Sequence, residues 1–205
     1  MLLEYIENHY RKNEPIFLSD IDLSVTDNNL RQMAKTLCDK GIIKRYDAGI
    51  YYLPGPTRIK GGAVLSADEV ARYKYIGRNN QINGYYSGYT FANELGLTTQ
   101  VPYILEIVSN QASAKSREVK IKNRRILLKK ARTKITKDNW LVLQLLDLIK
   151  DIERYADSIS DAAVKLSGYI KRLKIRRSDV DKYISLYPER IYRVIYEMRL
   201  YNAFA

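Results

Sequence analysis

The sequence predicts an α+β fold, with an N-terminal winged helix-turn-helix over residues 1–56 and a mixed α/β C-terminal domain over residues 57–205 that ends in a helical subdomain. Apolar residues at helical spacing, followed by two short β-rich runs around a tight turn, predict the first domain. The segment Pro54-Gly55-Pro56 favours a linker, because its prolines disfavour a helix and remove backbone donors. Apolar stripes at helical spacing in the last third predict the helical subdomain.

The first domain is expected to begin with an amphipathic helix from Leu2 that ends before Pro15. Ile16-Phe17-Leu18 is predicted to form a short strand that joins a later hairpin as its third member. Ser19-Asp20 is typical of a cap, and a short second helix is expected to run from it through Leu23. These elements precede the stretch on which the functional interpretation depends.

Residues 26–53 combine two periodicities. Thr26 or Asp27 is expected to cap a helix, and Gly41 to end it in a left-handed turn. The apolar face of this helix comprises Leu30, Met33, Ala34 and Leu37. Two β-rich runs follow and predict a hairpin. They cover residues 42–46 and 50–53, with Asp47-Ala48-Gly49 between them.

The opposite face of the helix is rich in hydrogen-bond donors. Arginine offers two parallel donors to guanine, and Asn and Gln pair a donor and an acceptor with adenine, so such a face suits the major groove. Basic residues of the hairpin would bind phosphates. The predicted DNA-binding residues are Thr26, Asn28, Asn29, Arg31, Gln32, Lys35, Lys44 and Arg45. The alternative interpretation is an ordinary solvated helix face.

The net charge of +12 points to nucleic acid or an acidic partner. Residues 1–56 hold seven Lys and Arg against eight Asp and Glu, whereas the remaining residues hold 28 against 15. Phosphate neutralisation supplies most non-specific affinity, so a nearly neutral DNA-reading domain would bind weakly as a monomer. We therefore expect a dimer, two sites on DNA, or help from the basic second domain.

The second domain is expected to mix helices and strands. Ser66 is predicted to cap a helix that runs to Ile76, and Gly96 to close a short helix that follows a turn around Ser87. A buried strand and a hairpin with Asn123 at its bend come next. The strands cover residues 104–108, 118–121 and 125–128. The helical stripes cover residues 141–155, 162–173 and 191–198, and Ser178-Asp179 is expected to cap a further short helix.

Residues 115–137 include eleven Lys and Arg and a single acid, Glu118. Such a run is usually a solvated surface, but on paired strands it would produce a strongly positive face that suits a polyanion such as RNA. The residues of this secondary basic surface are Lys115, Arg117, Lys120, Lys122, Arg124, Arg125, Lys129, Lys130 and Arg132.

Most enzyme classes are disfavoured. A single Cys38 and a single His9 cannot form a disulfide framework or a zinc site, and they hardly suffice for a His-based triad. Ser87 does not lie in a G-x-S-x-G motif. We predict a protein that is not an enzyme, with no cofactor and no metal. No run of about 18 apolar residues is present, so no membrane association and a cytoplasmic location are expected.

One enzymatic alternative remains open. Glu106 on one strand and Glu118-Val119-Lys120 on the next are similar to the carboxylate and E-x-K arrangement of metal-dependent nucleases, in which acids hold magnesium and Lys supports the attacking water. A triplet of this length also arises by chance.

Three strings carry a family resemblance: G-I-Y-Y-L-P at residues 49–54, G-Y-Y-S-G-Y-T-F-A-N-E-L-G-L-T-T-Q-V-P at residues 84–102, and E-I-V-S-N at residues 106–110. They resemble the AbiEi-type antitoxin family of bacterial type IV toxin–antitoxin systems, which act in phage abortive infection. The resemblance implies a winged-helix domain that binds inverted repeats in its own promoter as a repressor. It also implies a C-terminal domain that counters a nucleotidyltransferase toxin without forming a stable complex with it, and it implies no catalytic residues.

Overall fold

A computed structural model describes residues 1–56, 64–78 and 81–205. The chain divides into two compact units, Met1–Val70 and Ala71–Ala205, and each contains helices and strands. The α+β class predicted from the sequence is therefore confirmed. The predicted boundary between residues 56 and 57 adjoins residues 57–63, which lie outside the described part of the chain. None of the described helices has the length and apolar character needed to cross a membrane.

The first unit packs two helices against a small antiparallel sheet. Its elements are α1 (Leu2–His9), β1 (Ile16–Phe17), α2 (Asp27–Asp39), β2 (Lys44–Asp47) and β3 (Ile50–Tyr52). The strand order is β1-β3-β2, so β1 joins the hairpin as its third member, as predicted. A shared core includes Leu2, Ile6, Ile16, Leu30, Ala34 and Ile43. Because this core takes up one face of α2, the opposite face is left to solvent.

The predicted second helix is wrong. Only Leu18–Asp20 form a helical turn, of the 3-10 type, and Ile21 that follows is extended (φ −85°, ψ 115°). The Asp20 carboxylate accepts a hydrogen bond from the Ser19 hydroxyl. Ile21 and Leu23 alternate along the chain and both pack against the core, which is the period of an extended segment and not of a helix.

The four-stranded sheet of the second unit follows a short run of small elements. These are α3 (Ala67–Ala71), a π-helical segment (Arg72–Ile76), and the paired strands β4 (Gly77–Arg78) and β5 (Gln81–Ile82). The strands of the larger sheet are β6 (Gly84–Tyr86), β7 (Leu105–Ser109), β8 (Ser116–Ile121) and β9 (Arg124–Lys130), with α4 (Gly88–Glu94) between β6 and β7. Their order is β6-β7-β9-β8, and the β7–β9 pair is parallel. The predicted β8–β9 hairpin is confirmed, whereas β6 was not expected.

Helices complete the second unit. They are α5 (Trp140–Ile149), α6 (Ile152–Tyr155), α7 (Ile159–Leu173), α8 (Arg177–Tyr183) and α9 (Arg190–Glu197). The stripe over residues 141–155 is split between α5 and α6, because Asp151 leaves the helical conformation (φ −128°, ψ 24°). The predicted cap at Ser178-Asp179 is wrong: Arg176 is the N-cap residue, and the Asp179 carboxylate accepts two hydrogen bonds from its guanidinium.

Candidate nucleic-acid interface

Helix α2 is fixed at both ends by the residues that the sequence suggests. The Thr26 hydroxyl accepts a hydrogen bond from the backbone N–H of Asn29 at 3.4 Å, which satisfies one of the unpaired donors of the first turn. At the other end, Gly41 has a φ of +69° and its N–H donates to the Cys38 carbonyl at 2.8 Å. Such a left-handed residue after the last turn favours glycine, because a side chain there is strained.

The outward face of α2 consists of long polar side chains. Arg31, Gln32 and Lys35 follow Asn28 at intervals of three, four and seven residues, so the four lie on one side of the helix. All four are exposed, and Asn29 beside them is exposed as well. Within the described part of the chain, none of these side chains has a hydrogen-bond or ion-pair partner. Their donors and acceptors are therefore available to a ligand.

The first two turns of α2 hold the side chains that suit base edges. Recognition helices present their N-terminal residues to base edges, and here that part holds Asn28, Arg31 and Gln32. Exposed carboxylates lie at both ends of the helix, Asp27 in the first turn and Asp39 in the last, so charge does not distinguish the two ends. Burial raises the pKa of the neighbouring Cys38 thiol, and the Asp39 carboxylate raises it further.

The hairpin that directly follows α2 in the sequence carries two further cations. Arg45 is exposed and lies opposite Tyr51, while Lys44 is half-buried opposite Tyr52. The register shifts between Arg45 and Asp47, so a bulge lies next to the turn, where Gly49 has a φ of +70°. The Arg45 Nε–H donates to the Asp47 carbonyl at 3.4 Å. Arg45 thus extends from the hairpin edge without a carboxylate partner among the described residues.

The nine residues of the secondary basic surface differ in their contacts and in their exposure. Arg124, Arg125, Lys129 and Arg132 have hydrogen-bond or ion-pair partners within the unit. The exposed side chains are those of Lys115, Arg117, Lys120, Lys122, Lys130 and Arg132. The sequence places all nine in one run, but the sheet register pairs Arg125 and Lys129 with carboxylates.

The engaged cations have specific partners. Arg125 forms a two-pronged ion pair with Glu118 at 2.6 Å, and Lys129 pairs with Glu106 at 2.5 Å. The Arg125 guanidinium holds the pKa of the Glu118 carboxyl below its usual value. Arg132 donates to the Leu186 carbonyl at 2.9 Å.

The two candidate nuclease carboxylates lie in one cross-strand row, separated by a strand. Glu106 on β7 and Glu118 on β8 both oppose Leu127 on β9, so two strand spacings of about 4.8 Å lie between them. The Glu106 carboxylate also accepts from the Tyr89 N–H at 3.0 Å. Among the described residues, no three His, Cys, Asp or Glu side chains converge on a possible metal position.

The motif over residues 84–102 has a structural role in this unit. The Thr90 hydroxyl accepts from the Glu106 N–H at 2.9 Å, which connects α4 to the start of β7. The Asn93 amide donates to the carbonyls of Thr98 and Gln100, and the Thr98 hydroxyl donates to Asp157 at 2.9 Å. The motif therefore fixes the loop that follows α4.

That fixed loop presents two apolar side chains that the sequence did not single out. Val101 is 84% exposed and Tyr103 is 73% exposed, although the backbone around them is held by hydrogen bonds. The only signal in the sequence is their position on either side of Pro102, directly before a buried strand. Tyr103 lies against two residues of the predicted basic surface, because the Arg124 guanidinium donates to its carbonyl at 2.9 Å and the Arg125 guanidinium is 5.7 Å from the centre of its ring.

Comparison with known proteins adds one finding. A protein-family model, described as a family of unknown function, matches residues 3–175. The match includes helix α2, the first hairpin, the 84–102 motif and the whole basic run. No curated protein matches the chain.

Proposed function

The chain thus belongs to the DUF6088 family, whose function is unknown, and we propose that it is a DNA-binding repressor of its own operon and the antitoxin of a type IV toxin–antitoxin system. One observation carries the DNA-binding part: the outward face of α2 is a row of exposed Asn, Arg, Gln and Lys side chains that lack partners within the described residues.

The order of elements supports a winged helix-turn-helix arrangement. Helix α1, the 3-10 turn at Leu18–Asp20 and α2 would form the helix-turn-helix, with the second helix reduced to one turn. The β2–β3 hairpin would be the wing. In this arrangement α2 enters the major groove, where Arg31 and Gln32 contact base edges, and Lys44 and Arg45 contact the neighbouring phosphates.

The near-neutral charge of residues 1–56 supports binding to paired sites. A single module with few phosphate contacts gains little non-specific affinity, whereas two modules on an inverted repeat double the number of contacts. Two copies related by a two-fold axis would read half-sites about one helical turn apart. We therefore propose promoter inverted repeats as the DNA target.

The antitoxin part rests on the AbiEi resemblance of residues 84–102 and 106–110. These residues form the connected segment from β6 to β7, in which Ser87, Thr90 and Asn93 hold the backbone. The toxin that this antitoxin would counter is a nucleotidyltransferase encoded beside it. Direct contact between the two proteins is not part of the proposal.

Electrophoretic mobility shift with the duplex upstream of the gene tests DNA binding. Each paired base contact contributes roughly 1–3 kcal/mol, so Arg31→Ala/Gln32→Ala is expected to weaken binding at least about 30-fold. The control is Lys12→Ala, which also removes one exposed positive charge but lies outside α2. Both variants are expected to keep the wild-type circular dichroism spectrum. Wild-type affinity in the double variant would exclude α2 as the reading helix.

Co-expression with the neighbouring toxin tests the antitoxin activity separately. The full chain is expected to restore growth in cells that express the nucleotidyltransferase. Because the toxin is opposed without operator binding, Arg31→Ala/Gln32→Ala is expected to restore growth equally well. A full chain that binds its promoter but leaves growth arrested would refute the antitoxin assignment alone.

A further inference from the structure

The loop between α4 and β7 holds an aromatic ring rigidly in solvent. Its backbone is fixed on one side by Asn93, whose amide donates to the Gln100 carbonyl at 3.1 Å. On the other side, the Arg124 guanidinium donates to the Tyr103 carbonyl at 2.9 Å. Yet the Tyr103 side chain is 73% exposed. A side chain with only two rotatable bonds on a fixed backbone loses little entropy when it binds a flat ligand.

An arginine that is ion-paired with Glu118 lies directly beside this ring, and a lysine lies next to the arginine. The Arg125 guanidinium is 5.7 Å from the centre of the Tyr103 ring, within the range of a cation–π contact. Arg125 is opposite Lys120 in the β8–β9 register, and cross-strand neighbours have Cβ atoms about 5 Å apart. Tyr103, Arg125 and Lys120 therefore form a continuous surface across the end of the hairpin.

The outer strand of the sheet continues this positive surface. β8 pairs only with β9 among the described residues, so its other edge faces outward. Lys120 lies on the same face of the sheet as Arg125, and in the part of the chain that the structure describes it has no carboxylate within ion-pair distance. Arg117 opposes the buried Leu128 and therefore lies on the other face. Lys122 directly follows the strand and is exposed. The strand's acid, Glu118, is occupied by Arg125.

We propose that this surface, made up of Tyr103, Lys120, Lys122 and Arg125, is a binding site for single-stranded RNA. Proteins that bind single strands combine aromatic rings, on which bases stack, with a row of cations that follows the phosphates. An isolated protruding ring can stack only on an unpaired base, since the bases of a duplex already stack on one another. Single-stranded RNA offers such unpaired bases in its loops and ends.

Two other roles explain less of the surface. Lys and Arg on an outer strand can serve merely to prevent edge-to-edge aggregation, but that role does not require an exposed, fixed tyrosine. An acidic protein would use the cations, but it would gain no stacking energy from the ring. The proposal does not depend on operator binding, because it involves residues of the second unit alone.

Fluorescence anisotropy of a labelled oligouridylate of about 12 nucleotides, with the full-length chain at low salt, tests the proposal. Tyr103→Ala is expected to weaken binding roughly 5- to 150-fold, which corresponds to the loss of one stacked base. Tyr103→Phe keeps the ring and is expected to bind like the wild type. Tyr196→Ala is the matched control, because Tyr196 is exposed to the same extent, 73%, and is expected to leave binding unchanged.

The cations are tested through the salt dependence of the same binding. Lys120→Ala/Lys122→Ala is expected to reduce the slope of log K against log salt by about 1.4, at about 0.7 per phosphate contact on a single strand. Lys12→Ala/Lys171→Ala removes the same charge from exposed positions elsewhere and is expected to leave the slope unchanged. Arg31→Ala/Gln32→Ala is also expected to retain RNA binding, so failure of operator recognition is a separate result.

Several outcomes would overturn the proposal. These are an absence of binding at about 50 mM salt, equal effects of Tyr103→Ala and Tyr196→Ala, and equal affinity for double-stranded RNA of the same length. Competition by polyglutamate as strong as that by RNA, with no effect of Tyr103→Ala, would assign the surface to an acidic protein instead.

Discussion

The Tyr85 hydroxyl donates a 2.6 Å hydrogen bond to the carboxylate of Asp147, which lies 62 residues later in the sequence. Both residues are buried, and the second oxygen of Asp147 pairs with the Lys150 ammonium at 3.1 Å. Strand β6 and helix α5 are thus joined by a buried polar contact within the core of the second unit. A buried carboxylate is stabilised only when its oxygens are satisfied, so the contact specifies how this helix packs on the sheet.

Tyr85→Phe removes one donor from the buried Asp147 carboxylate. Loss of a hydrogen bond to a buried charged group destabilises by about 2 kcal/mol, and urea denaturation followed by circular dichroism measures it. Tyr89→Phe is the control, because the Tyr89 hydroxyl donates to the Arg154 carbonyl at an exposed position. This variant is expected to lower the free energy of unfolding by less than about 1 kcal/mol. Equal losses in the two variants would show that Asp147 does not depend on Tyr85.

Because of its buried tyrosines, the protein is expected to have a lower free energy of unfolding at alkaline pH. Burial is the main factor that raises the pKa of Tyr155 and Tyr169, each to about 12, and it raises those of Tyr85 and Tyr187 further. A raised pKa in the folded state means that stability is complete below the unfolded value of 10.0 and declines above it. Near pH 11, Tyr85 and Tyr187 together are expected to lower the free energy of unfolding by about 3 kcal/mol.

The measurement compares tyrosinate absorbance with circular dichroism during an alkaline titration. Part of the absorbance change is expected to appear only as the helical signal is lost, since the buried rings ionise on unfolding. Complete ionisation of all tyrosines in a chain that retains its helical signal would contradict the prediction.

Gly88 is expected to tolerate no side chain. Its φ is +55°, and a Cβ atom there would lie 2.3 Å from both carboxylate oxygens of Glu106, which the Tyr89 N–H holds in place. Gly88→Ala is therefore expected to lower the free energy of unfolding by roughly 2–3 kcal/mol, through strain and a steric clash. Thermal denaturation compares it with Gly168→Ala. Gly168 lies in α7 with open space around it, so alanine there is expected to stabilise by about 0.5–1 kcal/mol.

Local sequence signals predicted much of the first unit. Neighbouring residues determine three of its features, and the structure shows each of them. These are the Thr26 cap, the left-handed conformation of Gly41 and the hairpin turn at Gly49. The prediction of a second helix failed because Ser19 and Asp20 favour a turn as strongly as they favour the start of a helix. Only the packing of Ile21 against the core selects the extended conformation.

The second unit was less predictable because its arrangement depends on distant pairs. β6 was not expected, since Gly84 and Ser87 at its ends resemble a turn, and its pairing with β7 becomes apparent only once the sheet forms. Likewise, a count of charges could not show that Glu118 neutralises Arg125, because that pairing follows from the β8–β9 register. Exposure of Tyr103 is also a tertiary property.

Magnesium is expected to leave the protein unchanged, and this result separates the DNA-binding proposal from the nuclease alternative. Magnesium requires oxygens at about 2.0–2.1 Å in a nearly octahedral arrangement. Glu106 and Glu118 are separated by Leu127 and are each bound to a cation of their own, so a shared ion would have to break both pairs. We expect no shift of the thermal midpoint with added magnesium and no cleavage of labelled DNA or RNA. Cleavage that disappears in Glu118→Ala, a variant whose exposed site leaves the fold intact, would contradict this prediction; cleavage that persists in the variant would come from a contaminant.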